Sequence, residues 1–178
     1  MEDISLHVLD IAENSIRADA KTVEIVITRN AEQDLLCVEV IDDGRGMDAE
    51  TLARVRDPFF TTKHKKTGLG IPFLAQAAEL TGGQVAVDSS EGKGTRVTAT
   101  FRWAHVDRPP VGRMADTILT LIAGHPERDY IYEEREGERV FRFDTREIKS
   151  DLENVPINTP AVLDAIRSML KEQIKFEM

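Results

Sequence analysis

Residues 35–47 read LLCVEVIDDGRGM. The first eight are rich in apolar and β-branched side chains that partly alternate, which predicts a strand over 35–42. The strand runs straight into Asp42-Asp43-Gly44-Arg45-Gly46, where Gly44 and Gly46 permit a tight turn with positive φ. A carboxylate at the strand end, Asp42, can accept a hydrogen bond from an exocyclic amine, and a keto group in the same place could not donate one. The other reading of the same residues is a plain Asp-Gly turn. A dinucleotide-binding glycine pattern is a third, but the parallel strand–helix–strand unit it requires is missing and two carboxylates would face the pyrophosphate.

Working outward, residues 23–29, TVEIVITR with its flanks, predict a partner strand, joined to the first by the polar NAEQD. Before them, residues 4–18 predict a helix with Val8, Leu9, Ile11, Ala12 and Ile16 on one face. After them, 43–67 reads mostly as loop with a short helix at 48–55. GIPFLAQAAELTGG (70–83) is a helix with Pro72 in its first turn and Gly82 and Gly83 as its stop. QVAVDSS and TRVTATFRW predict a second strand pair around EGKG. Helix, hairpin, loop, helix, hairpin gives an α+β fold: a two-layer sandwich of a mainly antiparallel sheet covered by helices.

RPP at 108–110 marks a boundary, so the expected division is 1–104 and a small α+β module at 105–178. That module reads as a helix (112–123), a hairpin (129–143) turning at Glu136-Gly137, a helix or loop (145–153) and a final helix. Asn158 or Thr159 would cap the last helix, with Pro160 in its first turn. Its acidic hairpin and last helix would serve as a partner-docking or homodimer surface, or as a structural buttress.

Composition narrows the function. With 178 residues, a net charge of -9 and no basic run beyond KHKK, nucleic acid is a disfavoured partner. The single cysteine, Cys37, excludes an internal disulfide, fits a reducing compartment and reads as an inert core thiol in an apolar strand. No stretch approaches the ~18 apolar residues of a membrane span, and the N-terminus lacks a signal-peptide pattern. The expectation is a cytoplasmic protein.

Four further clusters stand out. Asp10, Asn14 and Arg17 fall on one stripe of the first helix, either a solvated face or a site where an amide oxygen serves Mg²⁺ beside phosphate. Gly68 and Gly70 open the 70–83 helix, whose bare N–H groups would seat a phosphate. GKGT puts Gly94 and Thr95 at a strand start. No GxxxxGK[ST] pattern occurs, which excludes a P-loop enzyme. Finally, DPFFTTK (57–63) sets Phe59 and Phe60 in a polar, glycine-punctuated loop.

In this order and spacing, the clusters resemble the ATP-binding domain shared by sensor histidine kinases, DNA gyrase B, the heat-shock ninety chaperones and MutL, over residues 1–104. DIAENSIRADA is similar to the family's N box, DDGRGM to its first glycine box, DPFFTTK to the kinase F box, TGLGI to the second glycine box and GKGT to the third. The resemblance implies a Bergerat-type fold binding ATP and Mg²⁺. Asn14 would hold the metal and Asp42 would read adenine. Arg17, Gly44, Gly46, Met47, Phe60, Lys63, Thr67, Gly68, Leu69, Gly70 and Thr95 would line the nucleotide. It makes 43–67 a lid, anchored by Phe59 and Phe60, with Lys63 and Lys65 or Lys66 near the phosphates.

Asp10 stands where the gyrase and MutL branch places a glutamate base and where many histidine kinases carry Asn. None of His7, His64, His105 and His125 is followed by the acidic-then-proline signature of a phosphoacceptor box. With no acceptor module expected upstream, the reading is a stand-alone kinase or ATP-gated regulator acting on a partner protein. The alternatives are a hydrolytic switch with Asp10 as base, or a non-catalytic nucleotide sensor. Anti-sigma serine kinases are a similar small branch, but nothing in them resembles residues 105–178.

Overall fold

The computed structural model describes residues 3–55 and 70–176. The chain begins with helix α1 (Ile4–Arg17), the hairpin β1 (Thr22–Asn30) and β2 (Leu35–Asp42), and the short α2 (Ala49–Arg54). Then come α3 (Gly70–Leu80), the hairpin β3 (Gln84–Ser89) and β4 (Thr95–Arg102), and α4 (Met114–Gly124). The hairpin β5 (Asp129–Glu136) and β6 (Arg139–Asp144), α5 (Thr145–Asp151) and α6 (Pro160–Gln173) complete the order. These elements form the expected α+β sandwich, and each lies within a few residues of its sequence-based bounds.

All six strands join one sheet, in the order β3-β4-β2-β1-β5-β6. Every pairing is antiparallel except β1 with β5. The chain beyond residue 105 therefore continues the existing sheet: between β4 and β5 it passes β2 and β1 by way of α4, which packs on α1, α6 and β5. Parallel neighbours require such a crossover, because a tight turn can only reverse the chain.

Strand side chains alternate with period two, so rows of paired residues share a face. One row runs Val87, Val97, Val40, Ile25, Tyr132, Phe143 across all six strands, and the next runs Val85, Ala99, Val38, Ile27, Glu134, Phe141. Most of these are buried beneath α1 and α3, which pack on β1–β2 and β3–β4 and on each other. α1 contributes Ile4, Val8, Ile11, Ala12 and Ile16 at helical spacing. Burying side chains of this size contributes about 1.5–3 kcal/mol each.

Glu134 is the exception in its row. It is fully buried, and its carboxylate accepts from Tyr132 Oη (3.1 Å), Arg139 Nη1 (2.8 Å) and the Lys175 backbone N–H (3.0 Å). Arg139 also donates to the Gln173 carbonyl at 2.5 Å, so the chain end is tied to β5 and β6. Phe176 packs against Trp103, and the Arg29 and Arg108 guanidinium groups each lie 4.3 Å from the centroid of that ring.

Two expectations change. Thr159 is the N-cap of α6, but its side chain makes no capping bond and its buried Oγ1 has no hydrogen-bond partner. Cys37 lies on the parity opposite Leu36 and Val38, so it is half-buried outside the core. Burial and the nearby Glu39 carboxylate push its thiol up to about 11, which keeps it inert by a different route. Among the described residues no helix is long and apolar enough to cross a membrane.

Candidate functional site

The helix-facing rows end in a polar one. Ser89 pairs with Thr95, Thr95 with Asp42, and Asp42 with Val23. The strand parity shared by Val87, Val97 and Val40 therefore puts a serine, a threonine and an aspartate side by side at the end of the sheet.

Each is held. Asp42 Oδ1 accepts from the Gly44 backbone N–H at 2.8 Å, and Oδ2 accepts from Ser15 Oγ at 2.6 Å. Ser89 Oγ accepts from the Met47 N–H, donates to the Gly94 carbonyl and meets Thr95 Oγ1, each at 2.9 Å. The first and third glycine turns are thus joined through one serine. Beside them Asp43 Oδ1 accepts from the Lys21 and Thr22 N–H groups at 2.7 and 2.9 Å, which fixes the start of β1.

The glycines are needed because backbone approaches backbone here. A Cβ on Gly46 (φ 69°) would lie 2.0 Å from the Ser90 carbonyl oxygen, and one on Gly94 (φ 81°) 1.9 Å from the Asp42 carbonyl oxygen. Gly44 lies against Ala18, at the end of α1. Arg45 closes this junction, its N–H donating to the Ala18 carbonyl (2.9 Å) and its Nη2 to the Arg17 carbonyl (2.5 Å).

On α1, Arg17 Nη1 donates to Asn14 Oδ1 at 2.9 Å, so the amide oxygen faces a cation along the stripe. Asp10 is exposed one turn earlier. A Cβ on Gly70 would lie 3.0 Å from the Asp10 Cβ, so the first residue of α3 abuts the acidic end of the stripe. An amide and a carboxylate are hard oxygen donors of the kind Mg²⁺ takes. Among the described residues no group of three His, Cys, Asp or Glu could hold a metal alone.

The structure brings together Asp42, Gly44, Gly46, Met47 and Thr95 at the sheet end, and Asp10, Asn14, Arg17 and Gly70 along α1. Phe60, Lys63, Thr67, Gly68 and Leu69, with Phe59, Lys65 and Lys66, lie outside the described residues. Sequence reasoning missed Ser15 and Ser89. Ser15 has a signal in hindsight, a polar residue within the buried stripe of α1. Ser89 continues the inward parity of Val85 and Val87.

Comparison with known proteins bears on this arrangement. Residues 2–105 match the model of the family described as histidine kinase-, DNA gyrase B-, and HSP90-like ATPase. Sporulation kinase E of Bacillus subtilis is 36% identical over 88 residues, 49% of this chain and 12% of that protein. Sensor protein kinase FleS of Pseudomonas aeruginosa is 41% identical over 91 residues, 51% of this chain and 23% of that one. The chain thus spans less than a quarter of the length of either relative. Among solved structures, the N-terminal domain of a DNA repair protein superposes with a TM-score of 0.56 at 12% identity, over 80% of this chain and 52% of that one. That likeness concerns the fold.

Proposed function

Because this chain belongs to the family of histidine kinase-, DNA gyrase B-, and HSP90-like ATPases, we propose that its ATP-binding, kinase-like domain takes Mg-ATP at the end of β2 and acts on a partner protein in the cytoplasm. The observation that carries the reading is the polar sheet row. Asp42, already holding the Gly44 N–H and the Ser15 hydroxyl, has lone pairs left for the 6-amino group of adenine. Gly44 and Gly46 keep side chains out of the turn beside it.

Phosphates would extend from there along α1 toward the start of α3, where helix N–H groups favour negative charge. Asn14 would hold Mg²⁺ and Arg17 would steady its amide. A bound Mg²⁺ would supply neutralisation of phosphate charge. Asp10, exposed beside Gly70, would orient the attacking group and accept its proton. If that group is a partner's side chain, the protein is a kinase acting in trans. If it is water, the protein is a hydrolytic switch. The position of Asp10 at the mouth of α3 supports either.

The test follows the γ-phosphate of labelled ATP, with the protein alone and with extract of its own cell. Label on a partner protein makes it a kinase. Free phosphate that Asp10→Ala removes makes it a switch. ATP bound with neither outcome leaves a sensor. Asn14→Ala should lower magnesium-dependent ATP affinity at least tenfold, and an unchanged affinity overturns the site.

A further inference from the structure

We propose that Ser15 is the positioning residue that sets the base preference of this site, by fixing the orientation in which the Asp42 carboxylate accepts from a purine 6-amino group. The proposal rests on the reading above that Asp42 meets the base.

Ser15 is 3% exposed and sits between Asn14 and Ile16, on the face of α1 that meets the sheet. Its Oγ lies 2.6 Å from Asp42 Oδ2 and 3.2 Å from the Ile11 carbonyl one turn back. A hydroxyl has one proton to give. The short contact to a carboxylate is the stronger of the two, because an anionic acceptor roughly doubles a hydrogen bond's strength. The Ile11 carbonyl is the fallback that helical serines commonly use.

The consequence for Asp42 is directional. The Gly44 N–H can only donate, and it occupies Oδ1. With Ser15 donating to Oδ2, both oxygens are held and the carboxylate keeps one orientation, its remaining lone pairs accepting as any carboxylate's do. A 6-amino purine is matched and a 6-keto purine is refused. If the hydroxyl is removed, Asp42 keeps one donor instead of two. Its carboxylate is then held at Oδ1 alone and is less firmly oriented toward the base.

The experiment compares ATP with inosine triphosphate, which carries a keto group in place of the 6-amino group, in the native chain and in Ser15→Ala and Ser15→Thr. The native chain should prefer ATP. Ser15→Ala should narrow that preference about tenfold, the size of a hydrogen bond to a charged group, with most of the loss on the ATP side. Ser15→Thr keeps the hydroxyl and should keep the preference. If Ser15→Ala does not fold, Ser15→Cys, of similar volume and a weak donor, takes its place with a smaller narrowing. Equal weakening of both nucleotides would make Ser15 a packing residue and overturn the proposal. A native chain that binds both nucleotides alike would instead overturn the reading of Asp42, and this proposal with it.

Discussion

At the end of β2 the helix-facing side of the sheet closes in Ser89, Thr95 and Asp42, each fixed by hydroxyls and backbone N–H groups within a few ångströms. On the other side of β1 the same face carries Tyr130, Tyr132 and Phe143, buried among apolar neighbours, with Glu134 as the one buried carboxylate of the row pair. The two regions share a sheet and differ in tolerance. A group that must meet a ligand needs one residue type at one place, with turns that only glycine fits. A strand that completes a core needs only the right parity and bulk, because many apolar residues fill the same volume at little cost.

The sharpest way to break this contrast is to remove the second region. A chain ending at residue 104 would expose the β5-facing edge of β1 and lose Tyr130, Tyr132, Ile118 and Leu121 from the buried cluster. It should lack a cooperative melt and bind no ATP. A folded, nucleotide-binding truncation would show that 105–178 is dispensable to the site.

Next in size is a pair of glycine substitutions. Gly94→Ala puts a methyl 1.9 Å from the Asp42 carbonyl oxygen at φ 81° and should cost ~3 kcal/mol or more, with loss of ATP binding. Gly137→Ala, in the β5–β6 turn at φ 56° with nothing within 4 Å, should cost only about 1 kcal/mol and leave binding intact. Chemical denaturation of the two variants compares them directly, and equal losses would erase the distinction.

The smallest expected effect is on acid stability. The Arg135 guanidinium holds the Glu133 carboxyl below its usual range, and Arg146 does the same for Asp144. Both residues are buried. Their folded values lie below the unfolded ones, so this stabilisation is present above about pH 4 and is lost as pH falls through the folded values. Glu133→Gln with Asp144→Asn should lower the melting temperature at pH 7 and flatten its fall below about pH 4. An unchanged acid limb would mean the two pairs contribute nothing to it.

What could be read from the chain alone was local. α1, both early hairpins and the β5–β6 hairpin follow from periodicity and turn residues. Asp42, Asn14 and the glycines of DDGRGM and GKGT were singled out by the family resemblance, whose motifs are each only a few residues long. Tertiary structure alone decided what depends on which segments meet. The parallel pairing of β5 with β1 joins residues about a hundred positions apart and leaves no signal in either strand's pattern. The bonds from Ser15 to Asp42 and from Ser89 to Met47 and Thr95 exist only once a helix lies on the sheet and two turns converge. A serine's hydroxyl takes its role from the neighbour the fold supplies, and the sequence around it does not name that neighbour.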